Sequence, residues 1–197
     1  QVGSWDKRRV PADLSEPLGE SNGFRVTGVY EDSEGYRDGF ELQRHGINPT
    51  LSLAAGERTR VVLGYEYFRD ERTADRGTPS YPTATGSARL PFDSAPQTFF
   101  GDPSVSRAEA DVHAFQALVE HEFADGVVLR NRTRAARYDK LYRNVFAAGS
   151  VDTDTVPLAA YDNATERDNL FNQTDLIFSA DTGQVAHKFV VGAECGR

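Results

Sequence analysis

Residues 46–72 read GINPTLSLAAGERTRVVLGYEYFRDER, and this run decides the fold. Ile47, Pro49, Leu51 and Leu53 alternate with Gly46, Asn48, Thr50 and Ser52. After the short segment 54–58 the alternation resumes, with Val61, Leu63, Tyr65 and Tyr67 set against Arg60, Gly64 and Glu66. A period of two places successive side chains on opposite faces of a strand. The run is a hairpin whose strands have one apolar and one polar face.

The same grammar extends outward in both directions. Gly, Asp, Asn and Pro cut the chain into segments of β-type composition, with almost no sustained 3.6-residue period. Strands are expected over 1–14, 24–33, 40–53, 59–72, 108–123, 127–146, 164–179 and 185–197, with the weakest alternation in 108–123 and 127–146. Tight connections at 54–58, 124–126 and 181–184 take turns with long ones at 34–39, 73–107 and 147–163. In an up-and-down meander every second connection lies at the same end, so one end carries turns and the other large loops. That asymmetry marks an all-β antiparallel meander of the transmembrane outer-membrane β-barrel kind, with short periplasmic turns and long extracellular loops.

Composition removes several other classes. The chain has 22 Lys+Arg against 30 Asp+Glu, a net charge of −8, which argues against a nucleic-acid partner. No apolar run approaches the length of a membrane-spanning helix. A single cysteine, Cys195, forms no internal disulfide and no cysteine-based zinc site. Leu, Ile, Val and Phe make up roughly a fifth of the chain, near the level below which a charged chain stays disordered, so pattern rather than composition argues for folding. The absence of Met and the polar start at Gln1 lead to the expectation of an excerpt or processed piece, with any export signal outside it.

Aromatic placement fits a barrel. Tyr30, Tyr65, Tyr67, Phe68, Tyr138, Tyr142 and Phe146 sit where strands meet the long loops, and Phe24, Phe123 and Phe178 sit near the short turns. Rings with one wet and one apolar end gather at the two membrane interfaces, although aromatic residues also favour strands in general. Arg130, Arg132 and Arg134 share one strand face, with Glu120 and Glu122 on a like face of the neighbour. Such charges are expected to point inward, because lipid-facing charges near the midplane cost a few kcal/mol each.

Several stretches resemble TonB-dependent siderophore receptors, in particular the catecholate-receptor-like branch. They are Tyr65-Glu66-Tyr67-Phe68-Arg69-Asp70-Glu71-Arg72 with its continuation to Ser80, Thr98-Phe99-Phe100-Gly101-Asp102-Pro103, Leu129-Arg130-Asn131-Arg132-Thr133-Arg134, and Asn169-Leu170-Phe171-Asn172-Gln173-Thr174-Asp175. The opening Gln1-Val2-Gly3-Ser4 and Asp13-Leu14-Ser15-Glu16-Pro17-Leu18-Gly19 look like the first barrel strands after a plug. The similarity runs nearly end to end, with Thr78 standing where an apolar residue is expected. It implies that residues 1–197 are the N-terminal part of one large β-barrel domain, a partial arc of about eight strands, with the plug domain outside this sequence. It further implies ferric siderophore uptake, a catecholate-type ferric siderophore and outer-membrane lipid as partners, and a TonB energising complex reached through that plug. No enzymatic activity and no cofactor are implied.

In the 73–107 loop and at its entrance, Arg72, Arg76, Arg89 and Arg107 mix with Tyr81, Phe92, Phe99 and Phe100. A connection of this length is functional or disordered. Ferric tris-catecholates are anionic and aromatic-walled, so cations and ring faces suit them. Arg76, Tyr81, Arg89, Phe99 and Phe100 are the expected ligand-binding residues. The plainer alternative has Phe99 and Phe100 anchoring the loop to the rim and Asp75-Arg76-Gly77 making a local turn.

Other chemistry is poorly supported. His45, His113, His121 and His187 are scattered, no phosphate loop or nucleophile elbow occurs, and Asp152-Thr153-Asp154 lacks the rest of a calcium loop. An outer-membrane barrel enzyme would draw on Ser80 or Ser87, yet the loop has no histidine. A soluble all-β binding module would need its apolar faces buried between two sheets. Three Asn-x-Thr triplets begin at Asn131, Asn163 and Asn172, two of them inside expected strands, where strand composition explains them better than glycosylation.

Overall fold

The computed structural model describes residues 1–82, 89–124 and 126–197. Its strands are β1 (Arg8–Pro17), β2 (Gly23–Glu34), β3 (Glu41–Ala54), β4 (Thr59–Arg72), β5 (Ser80–Pro82), β6 (Arg89–Pro91), β7 (Arg107–Ala124), β8 (Val127–Ala147), β9 (Leu158–Thr182) and β10 (Val185–Gly196). Eight of them form one antiparallel sheet in the order β1-β2-β3-β4-β7-β8-β9-β10, and β5 pairs only with β6. The longest loop therefore carries a small hairpin of its own.

Expected boundaries move at both ends of the first strand, which closes at Pro17 and not 14, and at both ends of β9, which closes at Thr182 and not 179. The chain from residue 1 to 7 is not strand: Trp5 and Asp6 take positive φ angles of 58° and 49°, and the segment folds back so that the Gly3 amide donates to the Lys7 carbonyl at 3.0 Å. Strand β9 begins at Leu158, six residues before the expected start at 164, which shortens the loop to 148–157. Leu158-Ala159-Ala160-Tyr161-Asp162-Asn163 shows no alternation that would mark it as strand, because both parities of this stretch are open. The expected turn at 124–126 includes Asp125, which lies outside the described residues.

Register gives the sheet two chemically distinct faces. Leu51, Leu63, Ala117 and Thr133 lie in one cross-strand row, and the face they share also carries Leu14, Phe115, Leu176 and Val191. We call this the outer face. Ile47 is 46% exposed, Phe115 46%, and Val191 63%, so neither a second sheet nor a helix covers them among the described residues. Side chains this apolar and this open fit hydrocarbon, not the interior of a sandwich.

The inner face is charged. Arg130 pairs with Glu120 across β7 and β8, and its Nε donates to Glu120 Oε1 at 2.5 Å, as the shared parity of the two residues implied. Arg9, Glu31, Arg44 and Asp70 stand directly opposite one another across β1 to β4, alternating in sign. Glu31 is 5% exposed and meets Lys7 and Arg9 at 3.2 Å, while Asp70 meets Arg44 and Arg72 at 3.2 Å. Cross-strand neighbours of opposite sign stabilise such a ladder, and like charges in the same places would oppose it.

Parity also divides the aromatic residues. Tyr30, Tyr65 and Tyr67 lie on the outer face with His45 and His113, and Tyr67 and His113 are tilted ring neighbours at 4.9 Å. At the turn end Phe178 stacks on Phe189 at 5.2 Å. Phe68, Tyr138, Tyr142 and Phe146, expected in the outer belt, instead point to the inner face, because they occupy the alternate positions of their strands. The belts are thinner than the sequence suggested.

Two of the Asn-x-Thr triplets meet across β8 and β9 on the outer face. Asn131 Nδ2 donates to Asn172 Oδ1 at 3.1 Å and to Thr174 at 2.7 Å; Asn172 Nδ2 donates to Asn131 Oδ1 at 3.1 Å and to Thr133 at 2.8 Å. The threonine hydroxyls close the set by donating back to the two amide oxygens at 3.3 and 3.5 Å. Every polar hydrogen in the four side chains is used. Unpaired amides facing hydrocarbon are expensive, whereas a closed network is tolerated. Asn131→Ala alone, which orphans its partners, should destabilise the folded barrel by about 2 kcal/mol in urea titrations followed by tryptophan fluorescence. Adding Asn172→Ala should cost clearly less than a second such step, and strict additivity would show that the network is not coupled.

Candidate functional site

The site lies at the long-loop end, where residues 73–82 and 89–106 fold back over the inner face. Its first arm is pinned residue by residue. Thr73 Oγ1 donates to the Gly39 carbonyl and accepts from the Glu41 amide, both at 3.0 Å. The Ala74 amide donates to the Ser106 carbonyl at 3.3 Å, and its carbonyl accepts from Asn144 Nδ2. Asn144 is 1% exposed, the most deeply buried of the large side chains. Asp75 Oδ1 accepts the Gly77 amide at 2.7 Å, which is the local turn expected at Asp75-Arg76-Gly77.

This pinning places Arg76 on an aromatic floor. Its guanidinium carbon lies 3.8 Å from the ring centre of Phe146, 5.8 Å from Tyr142 and 5.9 Å from Tyr161. The floor follows from parity on β8 and β9: Tyr142, Phe146 and Tyr161 all point to the inner face. Nε donates to the Tyr142 hydroxyl at 3.4 Å. Among the described residues no carboxylate lies within ion-pairing distance of Arg76. The rings fix the cation by attraction to their faces, about 0.5–1 kcal/mol each at exposed sites, and leave its charge unspent.

The other loop cations differ. Arg72 is paired with Asp70 on the inner wall, and Arg107 points to the outer face, where it contacts Glu71 and lies 2.9 Å from Glu109. Arg89 lies on β6 opposite Pro82, and Tyr81 on β5 opposite Leu90. Phe99 and Phe100 are half-buried at the base of the second arm, and Phe100 meets Phe92 edge-on at 6.2 Å. Arg76 and the Phe99–Phe100 pair thus both belong to the loop base, while Tyr81 and Arg89 belong to the hairpin above it. Among the described residues no ring contact or hydrogen bond joins Arg76 to Tyr81, Arg89, Phe99 or Phe100.

The second arm is anchored through Gly101, which bridges to Phe146. A Cβ there would fall on the Val145 carbonyl, so only glycine lets the two backbones meet. Ser80 bridges to Ser150 in the β8–β9 loop, and the Val151 amide donates to its carbonyl at 2.9 Å, so its backbone serves to join two loops. Ser87 lies outside the described residues.

Residues that the sequence reading passed over carry much of this geometry. Tyr142 and Phe146, expected in a lipid belt, share an even spacing with Tyr138 and Asn144 that places all four on the inner strand face. Tyr161 was hidden by the misplaced start of β9. Arg37 and Asn144 left no sequence signal, since neither has a motif.

A long-stranded antiparallel wall, apolar outside and charged inside, with its large loops folded inward at one end, has the architecture of an outer-membrane β-barrel. The chain's homologues and structural neighbours are TonB-dependent siderophore receptors, and the likeness runs its whole length. The metal-pseudopaline receptor CntO of Pseudomonas aeruginosa is 29% identical over 203 residues, covering 100% of this chain and 27% of the relative. The catecholate siderophore receptor Fiu of Escherichia coli is 26% identical over 217 residues, covering 100% of this chain and 28% of that protein. The crystal structure of the siderophore receptor PiuA from Acinetobacter baumannii superposes with a TM-score of 0.89 at 24% identity, over 99% of this chain and 29% of that one. The chain spans about a quarter of the length of the curated relatives it matches. No family model matches it. These relatives are transport receptors, not enzymes.

Replacing Gly101 by Ala should detach the second arm without preventing barrel assembly. Limited proteolysis of the intact receptor should then cut within 73–106 about tenfold faster, the change that a shift of about 1.4 kcal/mol in the opening equilibrium produces. An unchanged cutting rate would show that the loop base does not depend on this contact.

Proposed function

We propose that this chain supplies barrel wall and extracellular ligand-binding loops to a TonB-dependent receptor of the bacterial outer membrane that imports a ferric siderophore. The carrying observation is Arg76, a cation held on three inward-facing rings with no carboxylate at ion-pairing distance among the described residues. An anionic, aromatic-walled ferric chelate presents the complementary surface: oxygen-borne negative charge for the guanidinium and ring edges for the Tyr and Phe faces. Tyr81, Arg89, Phe99 and Phe100 extend the same chemistry along the loop, and a catecholate is the cargo that this combination suits best. The iron enters as part of that cargo, and among the described residues no three acidic, histidine or cysteine side chains converge to hold a metal of their own. Residues 1–197 form one stretch of a single barrel domain, bounded outside by lipid, and the TonB energising complex engages a plug domain encoded elsewhere in the same receptor.

The test uses the intact receptor in detergent, titrated with a ferric tris-catecholate while tryptophan fluorescence is followed. Arg76→Gln should weaken binding about tenfold, equivalent to about 1.4 kcal/mol. Heat-modifiable migration, the mark of a closed barrel, should be unchanged. Deleting 73–107 should abolish most uptake in cells while the barrel still assembles. Wild-type affinity in Arg76→Gln, or full uptake after the deletion, would remove the loop from ligand binding.

A further inference from the structure

Loop 35–40, between β2 and β3, crosses both arms of the 73–106 segment. Arg37, whose side chain is 9% exposed, lies at the crossing. Its Nε is 2.8 Å from Asp75 Oδ2, and its Nη2 donates to Thr78 Oγ1 at 3.1 Å, so two of its nitrogens hold the first arm on either side of Arg76. Its Nη1 donates to the Thr98 carbonyl at 2.7 Å, so the third holds the second arm beside Phe99. The neighbouring backbone repeats the link. The Asp38 amide donates to the Gln97 carbonyl at 2.8 Å, and Gly39, at φ 75°, packs so closely under Pro103 that a Cβ would come within 2.7 Å of its ring.

We infer that Arg37 is a positioning residue for cargo: a buckle that holds the two arms in the arrangement that binds, although it touches no cargo itself. The inference rests on the binding role of Arg76 given above. A planar guanidinium has donors in three directions, so one side chain fixes two arms that are remote in sequence, and a lysine ammonium lacks that fork. The arms join to β4 and β7 at only one end each. Without Arg37 the arms keep the β5–β6 pairing and the Ser80–Ser150 bridge above and their anchors at the base, but they lose the side-chain link between the two levels, and the ring-seated Arg76 and the Phe99–Phe100 base no longer keep one spacing. Where only a fraction of molecules holds the competent arrangement, apparent affinity falls by that fraction. The loss then appears in association, because the complex, once formed, is unchanged.

The experiment uses the intact receptor with Cys195→Ser as background and a ferric tris-catecholate as probe, read by stopped-flow fluorescence. Arg37→Met should slow association about tenfold and leave dissociation within about twofold; Arg37→Lys should fall between. Heat-modifiable migration confirms a folded barrel in each case. Asp38→Cys with Gln97→Cys places a disulfide where the two backbones already meet. Oxidised, it should restore association in Arg37→Met, and reduction should remove the gain. Normal association in Arg37→Met overturns the inference, as does failure of the disulfide to restore it. Loss of binding when the disulfide forms in the Arg37 receptor also overturns it, since the arms would then have to part for cargo to enter. If Arg76→Gln binds normally, the site itself is misplaced. If Arg76→Gln is impaired and Arg37→Met is not, the site stands and only the buckle fails.

Discussion

Backbone polarity in hydrocarbon is the constraint on which the rest of this structure depends. Every N–H and C=O that passes through a bilayer needs a partner, and strands satisfy this only by pairing with neighbours. The antiparallel meander follows, and with it a strict period of two that dictates what each side chain faces. One parity meets lipid and must be apolar or closed upon itself, as in the Asn131–Asn172 set. The other meets an aqueous interior and accommodates the alternating charges of Arg9, Glu31, Arg44 and Asp70. Low overall hydrophobicity is thus a result of the architecture and no obstacle to membrane residence.

The same parity builds the site. Tyr142, Phe146 and Tyr161 form a floor for Arg76 because they fall on the inward register of β8 and β9. Asn144, between the two β8 rings, reaches the Ala74 carbonyl and sets the loop backbone two residues before the arginine. Wall and loop are therefore one construction: strands fix the rings, buried polar contacts fix the loop, and the cation is seated by both. The long connection needs no hydrophobic core of its own, since its bases are held by Thr73, Ser106, Gly101 and Arg37.

Much of the fold was legible because alternation and turn residues are local signals. The hairpin at 46–72, the eight-strand meander and the inward arginines all follow from parity and punctuation. What escaped was non-local or two-sided. Residues 158–163 belong to a strand with water on both faces, so no alternation marks them, and the folding back of residues 1–7 depends on left-handed angles at Trp5 and Asp6 that their side chains do not announce. At the site, Arg76 was legible as a cation among rings within a resembling motif. The rings that hold it lie on strands more than sixty residues later, and Arg37 more than thirty residues earlier, and only the folded chain brings these together.

Strands β8 and β9, at 21 and 25 residues, are about twice the length that a bilayer crossing requires. From Arg137, level with the outermost ring of the lipid-facing row at His113, β8 continues through nine more residues to Phe146. At about 3.3 Å per residue and a tilt near 40°, the aromatic seat stands roughly 20 Å above that row. The overhang works as a mast: it lifts the guanidinium and its three rings clear of the hydrocarbon and into water.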